Sequence, residues 1–235
     1  MKWMCLLPFC LVAAIAAGQT SPGQSAPDMA QEPHHRLLLE NSLVRVFGVT
    51  LRASESAFTR HDHNYLLVTL KDCQLVMWRE GESPIIGFPL KQGGLIFENG
   101  GWARGIRNDQ KGKCSFLAVE FLDPNVADVS YYGVAMSPPP PSDPSGKDIQ
   151  TVPYGTAYLT VAQLPHGDSI PARPDDVGEL LIPTTDLDLK TDDDNHIRKS
   201  AGEVEWIESG HASALENAGE AVARFALVRF QPPGK

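Results

Sequence analysis

The chain has 235 residues and a formal net charge of −9 at neutral pH. That acidic balance argues against nucleic acid or an anionic lipid surface as a partner, since both would repel it. No segment after residue 17 is long and apolar enough to span a bilayer.

In chain order, the first residues read MKWMCLLPFCLVAAIAAGQT. Lys2 precedes an uncharged apolar stretch from Trp3 to Ala17, and small residues follow. This is the pattern of a cleaved secretory signal over residues 1–18. The stretch is shorter than the ~20 apolar residues a span needs, and Pro8 interrupts it. Export to the periplasm or the cell exterior is therefore expected. Cys5 and Cys10 would leave with the signal, so Cys73 and Cys114 remain. They form either a single disulfide or two buried thiols, and the sequence leaves both open.

Residues 19–36, rich in Ser, Pro, Gln and Ala, predict a flexible N-terminal segment. Ordered structure is expected from Leu37. The stretch Leu43 to Leu51 mixes β-branched and aromatic residues with a partial period of two and predicts a strand. Tyr65 to Leu70, Gln74 to Trp78, Ile85 to Leu90, Gly94 to Glu98 and Ser115 to Leu122 read the same way. Residues 125–153 contain MSPPPPSDPSG and predict a stiff proline-rich linker. The strand rhythm resumes at Tyr158 to Gln163, Gly178 to Pro183, Glu203 to Ile207 and Arg224 to Phe230. Between them the acidic run Asp186 to Asp194 predicts a solvated hairpin tip; it lacks the glycine and terminal glutamate of a calcium loop.

Residues 93–121 align with 202–230 at a constant shift of 109 and without a gap. Seven of the 29 positions are identical: Gly93/Gly202, Gly101/Gly210, Ala103/Ala212, Asn108/Asn217, Phe116/Phe225, Val119/Val228 and Phe121/Phe230. Chance would give roughly two. The chain therefore reads as two copies of one small β unit, residues 37–124 and 154–231. Gly101/Gly210 and Asn108/Asn217 are expected at turns that need positive φ. The aromatic residues Phe97, Trp102, Trp206, Phe225 and Phe230 are expected in cores.

Two stretches of the first unit carry a family resemblance. His61 and His63 stand one residue apart before a strand, and Gly101, Arg104 and Asn108 follow a later one. These spacings resemble the two motifs of the cupin superfamily, with Arg104 where the family has its third histidine. Two copies in one chain resemble a bicupin, which implies an all-β fold of two cupin-type barrels joined by the proline-rich linker. The family motif implies a metal site of three histidines and a glutamate. In a strand, residues two apart share a face, so His61 and His63 are expected to point together into the barrel. Leu67 or Val68 stands where the glutamate would be. Arg104 is always cationic and is no ordinary metal ligand. The second unit has lost more: a shift of 112 places Arg173 and Asp175 at the histidine positions, and Ser213 aligns with Arg104. His211 sits beside that position, and neither His166 nor His196 falls on the motif.

Three functions compete. The preferred one is a small-molecule binding module, in which His61, His63 and Arg104 hold an anionic or polar ligand through hydrogen bonds and the guanidinium fork. The second is a metal-dependent dioxygenase or isomerase, with a divalent transition metal on His61, His63 and an atypical third ligand drawn from His34, His35 or Asp62. The third is a structural or interaction protein without chemistry. Arg104 has a competing role as the ion-pair partner of Glu98 or Asp62. Self-association is left open.

Overall fold

The computed structural model describes residues 26–84, 87, 89–123, 126, 135–136, 143–172, 178–208 and 214–231. The signal segment, the central prolines of the linker, and Arg173, Asp175, Gly210, His211 and Ser213 lie outside the described residues.

The first unit contains β1 (His35–Glu40), β2 (Val44–Leu51), β3 (Ser56–His61), β4 (Tyr65–Thr69), β5 (Cys73–Arg79), β6 (Pro89–Leu90), β7 (Leu95–Glu98), β8 (Trp102–Asn108), β9 (Cys114–Phe121) and β10 (Ala135–Met136). The second contains β11 (Asp148–Tyr154), β12 (Ala157–Leu164), β13 (Ser169–Ile170), β14 (Gly178–Pro183), β15 (Leu187–Lys190), β16 (His196–Lys199), β17 (Glu205–Glu208), β18 (Leu215–Asn217) and β19 (Ala223–Phe230). No α-helix occurs among the described residues. In the first unit a larger sheet, β1-β2-β9-β4-β7-β10, covers a smaller one, β3-β8-β5-β6. The second repeats the plan with β11-β12-β19-β14-β17 over β13-β18-β15-β16. This is the expected all-β pair of barrels.

The central strands of the larger sheets, β4, β9, β14 and β19, are buried on both faces, and the period of two sorts them. In β4, Tyr65 and Leu67 point into the first barrel, where they join Phe47, Phe116 and Ala118. Leu66 and Val68 point outward with Val119 and Phe121. That outer face meets the outer face of the second unit, and Tyr154, Leu159, Leu180, Val228 and Phe230 complete one continuous core with it. Phe121 and Phe230, equivalent under the shift of 109, meet across this seam with ring centroids 6.2 Å apart. A strand sandwiched between barrel interior and seam has no solvated side, so it reads as an unbroken apolar run rather than an alternating one. The seam makes the two barrels one packed body rather than units joined only by a linker.

The duplication extends to hydrogen bonds. Asn108 Nδ2 donates to the carbonyls of Leu51 and Gly112 at 3.0 and 2.7 Å, and its Oδ1 accepts from the Gln110 N–H. Asn217 Nδ2 donates to the carbonyls of Leu164 and Ala221 at 2.8 and 2.9 Å, and its Oδ1 accepts from the Gly219 N–H. The asparagines therefore act as side-chain clamps, and neither has positive φ; the expectation of a turn conformation there is corrected. Gly93, Gly202 and Gly101 do have positive φ, at 78°, 84° and 86°. The pairing also corrects the shift for the front of each unit. Leu51 pairs with Cys114 as Leu164 pairs with Ala223, which gives 113 rather than 112.

Two boundaries differ from expectation. The chain is packed well before Leu37: Met29 is fully buried in the first barrel, and the Arg60 N–H donates to the Pro27 carbonyl. β11 begins at Asp148, within the stretch read as linker, because Tyr154 at its end is needed in the seam.

Candidate ligand site in the first barrel

β3 alternates cleanly, with Ala57, Thr59 and His61 buried and Ser56 and Arg60 exposed. His61 is its last residue, and the strand ends there because the chain turns. The His61 carbonyl accepts from the Gly101 N–H at 2.7 Å, and Asn64 accepts from the Phe121 and Gly100 N–H groups. His63 lies in that turn, half-buried, outside the lining of the cavity. The cavity lining thus includes His61 and not His63, which lies past the end of the strand whose period of two would have aligned them. Asp62 is exposed and paired with Arg60 at 2.8 Å.

Arg104 faces Thr59 across the β3–β8 ladder, so both project into the barrel. A cavity of about 10 Å³ opens between them, lined also by His35, His61, Tyr65 and Leu67. It has room for about one water-sized group. Arg104 is 7% exposed and holds Glu98 through Nη1 at 2.5 Å. Its Nε and Nη2 are buried with no hydrogen-bond partner. Those two nitrogens form the side-on edge of the guanidinium, the edge that takes a carboxylate in a two-pronged fork.

His61 stacks on Tyr65 with ring centroids 3.9 Å apart and 14° between planes. Its Nε2 is 2.7 Å from Thr59 Oγ1, while its Nδ1 is buried without a partner. Burial, reinforced by the charges of His35 and Arg104, pushes the His61 pKa down to about 3. The ring is therefore neutral at ordinary pH. Burial raises the Glu98 carboxyl against the pull of Arg104 and Arg79. Glu120, fully buried across from Tyr65, is likewise raised by burial, and Arg45 opposes the shift with a contact of 2.5 Å.

His35 enters from β1. Its side chain is 3% exposed, and its Nδ1 lies 2.6 Å from Glu32 Oε2. His34 Nδ1 holds the other oxygen of Glu32 at 2.6 Å. Sequence reasoning named His35 only as an alternative ligand and missed Thr59, Tyr65 and Glu32. Thr59 was within reach, since it lies two residues before His61 on the same strand face. Glu32 was hidden because its segment was read as a tether. Trp102, expected in a core, is 50% exposed at the barrel rim, with the Arg79 guanidinium 5.2 Å from its ring centroid.

The cupin motif implies a metal, and these residues do not fit one. The lining offers two imidazoles, His35 and His61, beside a guanidinium and Leu67. No three His, Cys, Asp or Glu side chains among the described residues are placed to share an ion. In the second barrel the corresponding layer holds Arg229 Nε against Glu179 Oε1 at 2.8 Å, both side chains 2% exposed or less. His166 is exposed, with its Nδ1 3.1 Å from the Gly219 carbonyl, and His196 pairs with Asp188 at the surface.

Elsewhere in the first barrel, Cys73 and Cys114 are joined in a disulfide with Cα atoms 5.3 Å apart. It ties β5 to the start of β9, across the two sheets.

No family model and no curated protein sequence matches the chain. Solved structures do. Salicylate 1,2-dioxygenase from Pseudaminobacter salicylatoxidans superposes with a TM-score of 0.59 at 12% identity, covering 84% of this chain and 77% of that one. AerE from Microcystis aeruginosa gives 0.57 at 11% identity, covering 86% and 99%. A cupin 2 conserved barrel domain protein from Leptotrichia buccalis gives 0.57 at 10%, covering 84% and 88%. The chain has the cupin-superfamily fold.

Proposed function

We propose that this protein is a binding module whose first barrel takes the carboxylate of a small anionic molecule. The observation that carries the reading is Arg104, a residue of the cavity lining whose Nε and Nη2 are buried with no hydrogen-bond partner. A buried donor left unpaired costs about 1–3 kcal/mol, more for a charged group, so an acceptor there recovers a sizeable energy. Charge agrees: Arg104 and Arg79 stand against Glu98 at this end, and His61 is neutral. With room for about one water-sized group, the cavity takes only the smallest anions, and the side chains lining it must shift to admit a carboxylate. His63, outside the lining, takes no part. Gentisate bound to salicylate 1,2-dioxygenase supports a carboxylate ligand in this fold. The disulfide supports the export expected from the first residues, since such bonds persist in oxidising compartments.

The test is calorimetric titration of the full chain with sodium acetate. Arg104→Gln is expected to weaken binding at least about tenfold, the equivalent of one charged hydrogen bond. Glu98→Gln is expected to strengthen it by freeing the guanidinium. Unchanged affinity in Arg104→Gln contradicts the reading. Stoichiometric transition metal in the native protein, lost in His61→Ala, would instead favour the metalloenzyme.

A further inference from the structure

Arg104 and His61 belong to one cavity lining and carry three buried nitrogens without a partner, Arg104 Nε and Nη2 and His61 Nδ1. Arg104 is always cationic and meets Glu98 only through Nη1. Arg79 acts on Glu98 as a further positive charge, so the guanidiniums at this end outnumber the carboxylate. His61 is held neutral and adds a donor rather than a charge: with the Thr59 hydroxyl donating to Nε2, its ring hydrogen sits on Nδ1. The cavity of about 10 Å³ has room for about one water-sized group. An occupant that leaves the walls where they are is therefore a single heavy atom that accepts hydrogen bonds.

Water and a halide ion are both close to that size, and the walls separate them. Much of the lining is apolar, with Leu67, Met77, Ile106, Phe116 and Ala118. A water would answer the donors but bring hydrogens of its own to a wall with few acceptors. A halide accepts from several donors, brings no hydrogen and offsets the buried guanidinium charge. We infer that this site holds a single halide ion, chloride being the commonest, on the Nε–Nη2 edge of Arg104. This rests on the carboxylate reading above and adds the regulation of that site. A carboxylate brings a carbon and a second oxygen, for which the lining must shift, so it enters only by displacing the halide. Chloride is then a competitive inhibitor of carboxylate binding, and its concentration sets the apparent affinity.

The experiment is calorimetric titration of the full chain at neutral pH in sulfate buffer free of halide, first with sodium chloride and then with sodium acetate, with and without chloride. Chloride is expected to bind at a single site, and Arg104→Gln is expected to weaken it at least about tenfold, the effect of one charged hydrogen bond. With chloride at about ten times its dissociation constant, acetate should bind the wild type about tenfold more weakly. That competition is read within one wild-type sample, so it does not depend on the variant folding. A wild-type crystal grown in bromide gives the place: anomalous scattering should put one ion within hydrogen-bond distance of Arg104 Nε and Nη2. Absence of chloride binding, a chloride affinity unchanged in Arg104→Gln, acetate binding that chloride leaves untouched, or bromide only at the surface as an adventitious ion overturns the halide inference and leaves the carboxylate site standing. Chloride binding without any acetate binding in halide-free buffer keeps the halide site and overturns the carboxylate reading.

Discussion

The two barrels share a scaffold and differ in one layer. Both use the asparagine clamp, and both turn the same face to the common seam. Across the inner face of the first, the row runs Arg45, Glu120, Tyr65, Glu98 on β2, β9, β4 and β7. In the second, the matching row is Tyr158, Arg229, Glu179, Ile207 on β12, β19, β14 and β17. Glu120 and Arg229 are equivalent positions of opposite charge. Both barrels bury ion pairs here, Arg229–Glu179 in the second and Arg45–Glu120 with Arg104–Glu98 in the first; the first also has Arg104, a residue of a cavity lining, with Nε and Nη2 unpartnered. Groups that satisfy the backbone persist through the duplication, because every copy of the fold needs them. The polar layer is free to diverge, and that is where a difference in function should be sought.

The sharpest way to break this comparison is to unbalance the second barrel's layer. Glu179→Gln alone should lower unfolding free energy by about 3–5 kcal/mol, because it strands Arg229 in a dry interior. The double change Glu179→Leu with Arg229→Met should recover most of that loss. Urea unfolding measures both, and a silent single variant would mean the pair does not hold the second barrel together. Next in size is the disulfide, which only the first barrel has; Leu187 and Ala223 occupy the corresponding places in the second. Closing a separation of 41 residues is worth about 4 kcal/mol, so reduction should lower the denaturation midpoint accordingly. Thiol titration of the unreduced, denatured protein should find Cys73 and Cys114 unreactive, and two free thiols would remove this difference between the barrels.

A smaller effect per step distinguishes the first barrel's layer. The folded pKa of His61, about 3, lies below its ordinary 6.5. Its contribution to stability is therefore complete above pH 6.5 and is lost as pH falls toward 3, at about 1.4 kcal/mol per unit. His61→Phe should flatten the acid limb of a plot of melting temperature against pH. A limb of unchanged slope would show that His61 is not held neutral in the folded barrel.

The sequence made the duplication legible where side chains serve the backbone. Asn108 and Asn217 must close the same carbonyls, and Gly93 and Gly202 must take the same positive φ. The front half of each unit carries no such obligatory side chains, so its alignment was off by one. β1 was overlooked because HRLLLE does not alternate: the register shifts between Leu37 and Leu39, so Leu38 and Leu39 both pack on the seam while Leu37 is exposed. Within the site, Arg104 and His61 were legible from spacing and period. His63 was not, since where a strand stops depends on hydrogen bonds from Gly101 and Asn64, far along the chain or in the turn itself. Glu32 and His35 were obscured for a different reason: a polar segment becomes ordered when a single apolar residue, here Met29, anchors it in a core.

The Arg104 site of the first barrel is tested most directly by a high-resolution crystal structure of the full chain grown with acetate. The account predicts a carboxylate in the first barrel, with both oxygens within hydrogen-bond distance of Arg104 Nε and Nη2, and a second barrel unchanged around Glu179 and Arg229. Water alone on that edge of Arg104 under saturating acetate, or a metal ion held between His35 and His61, would contradict it.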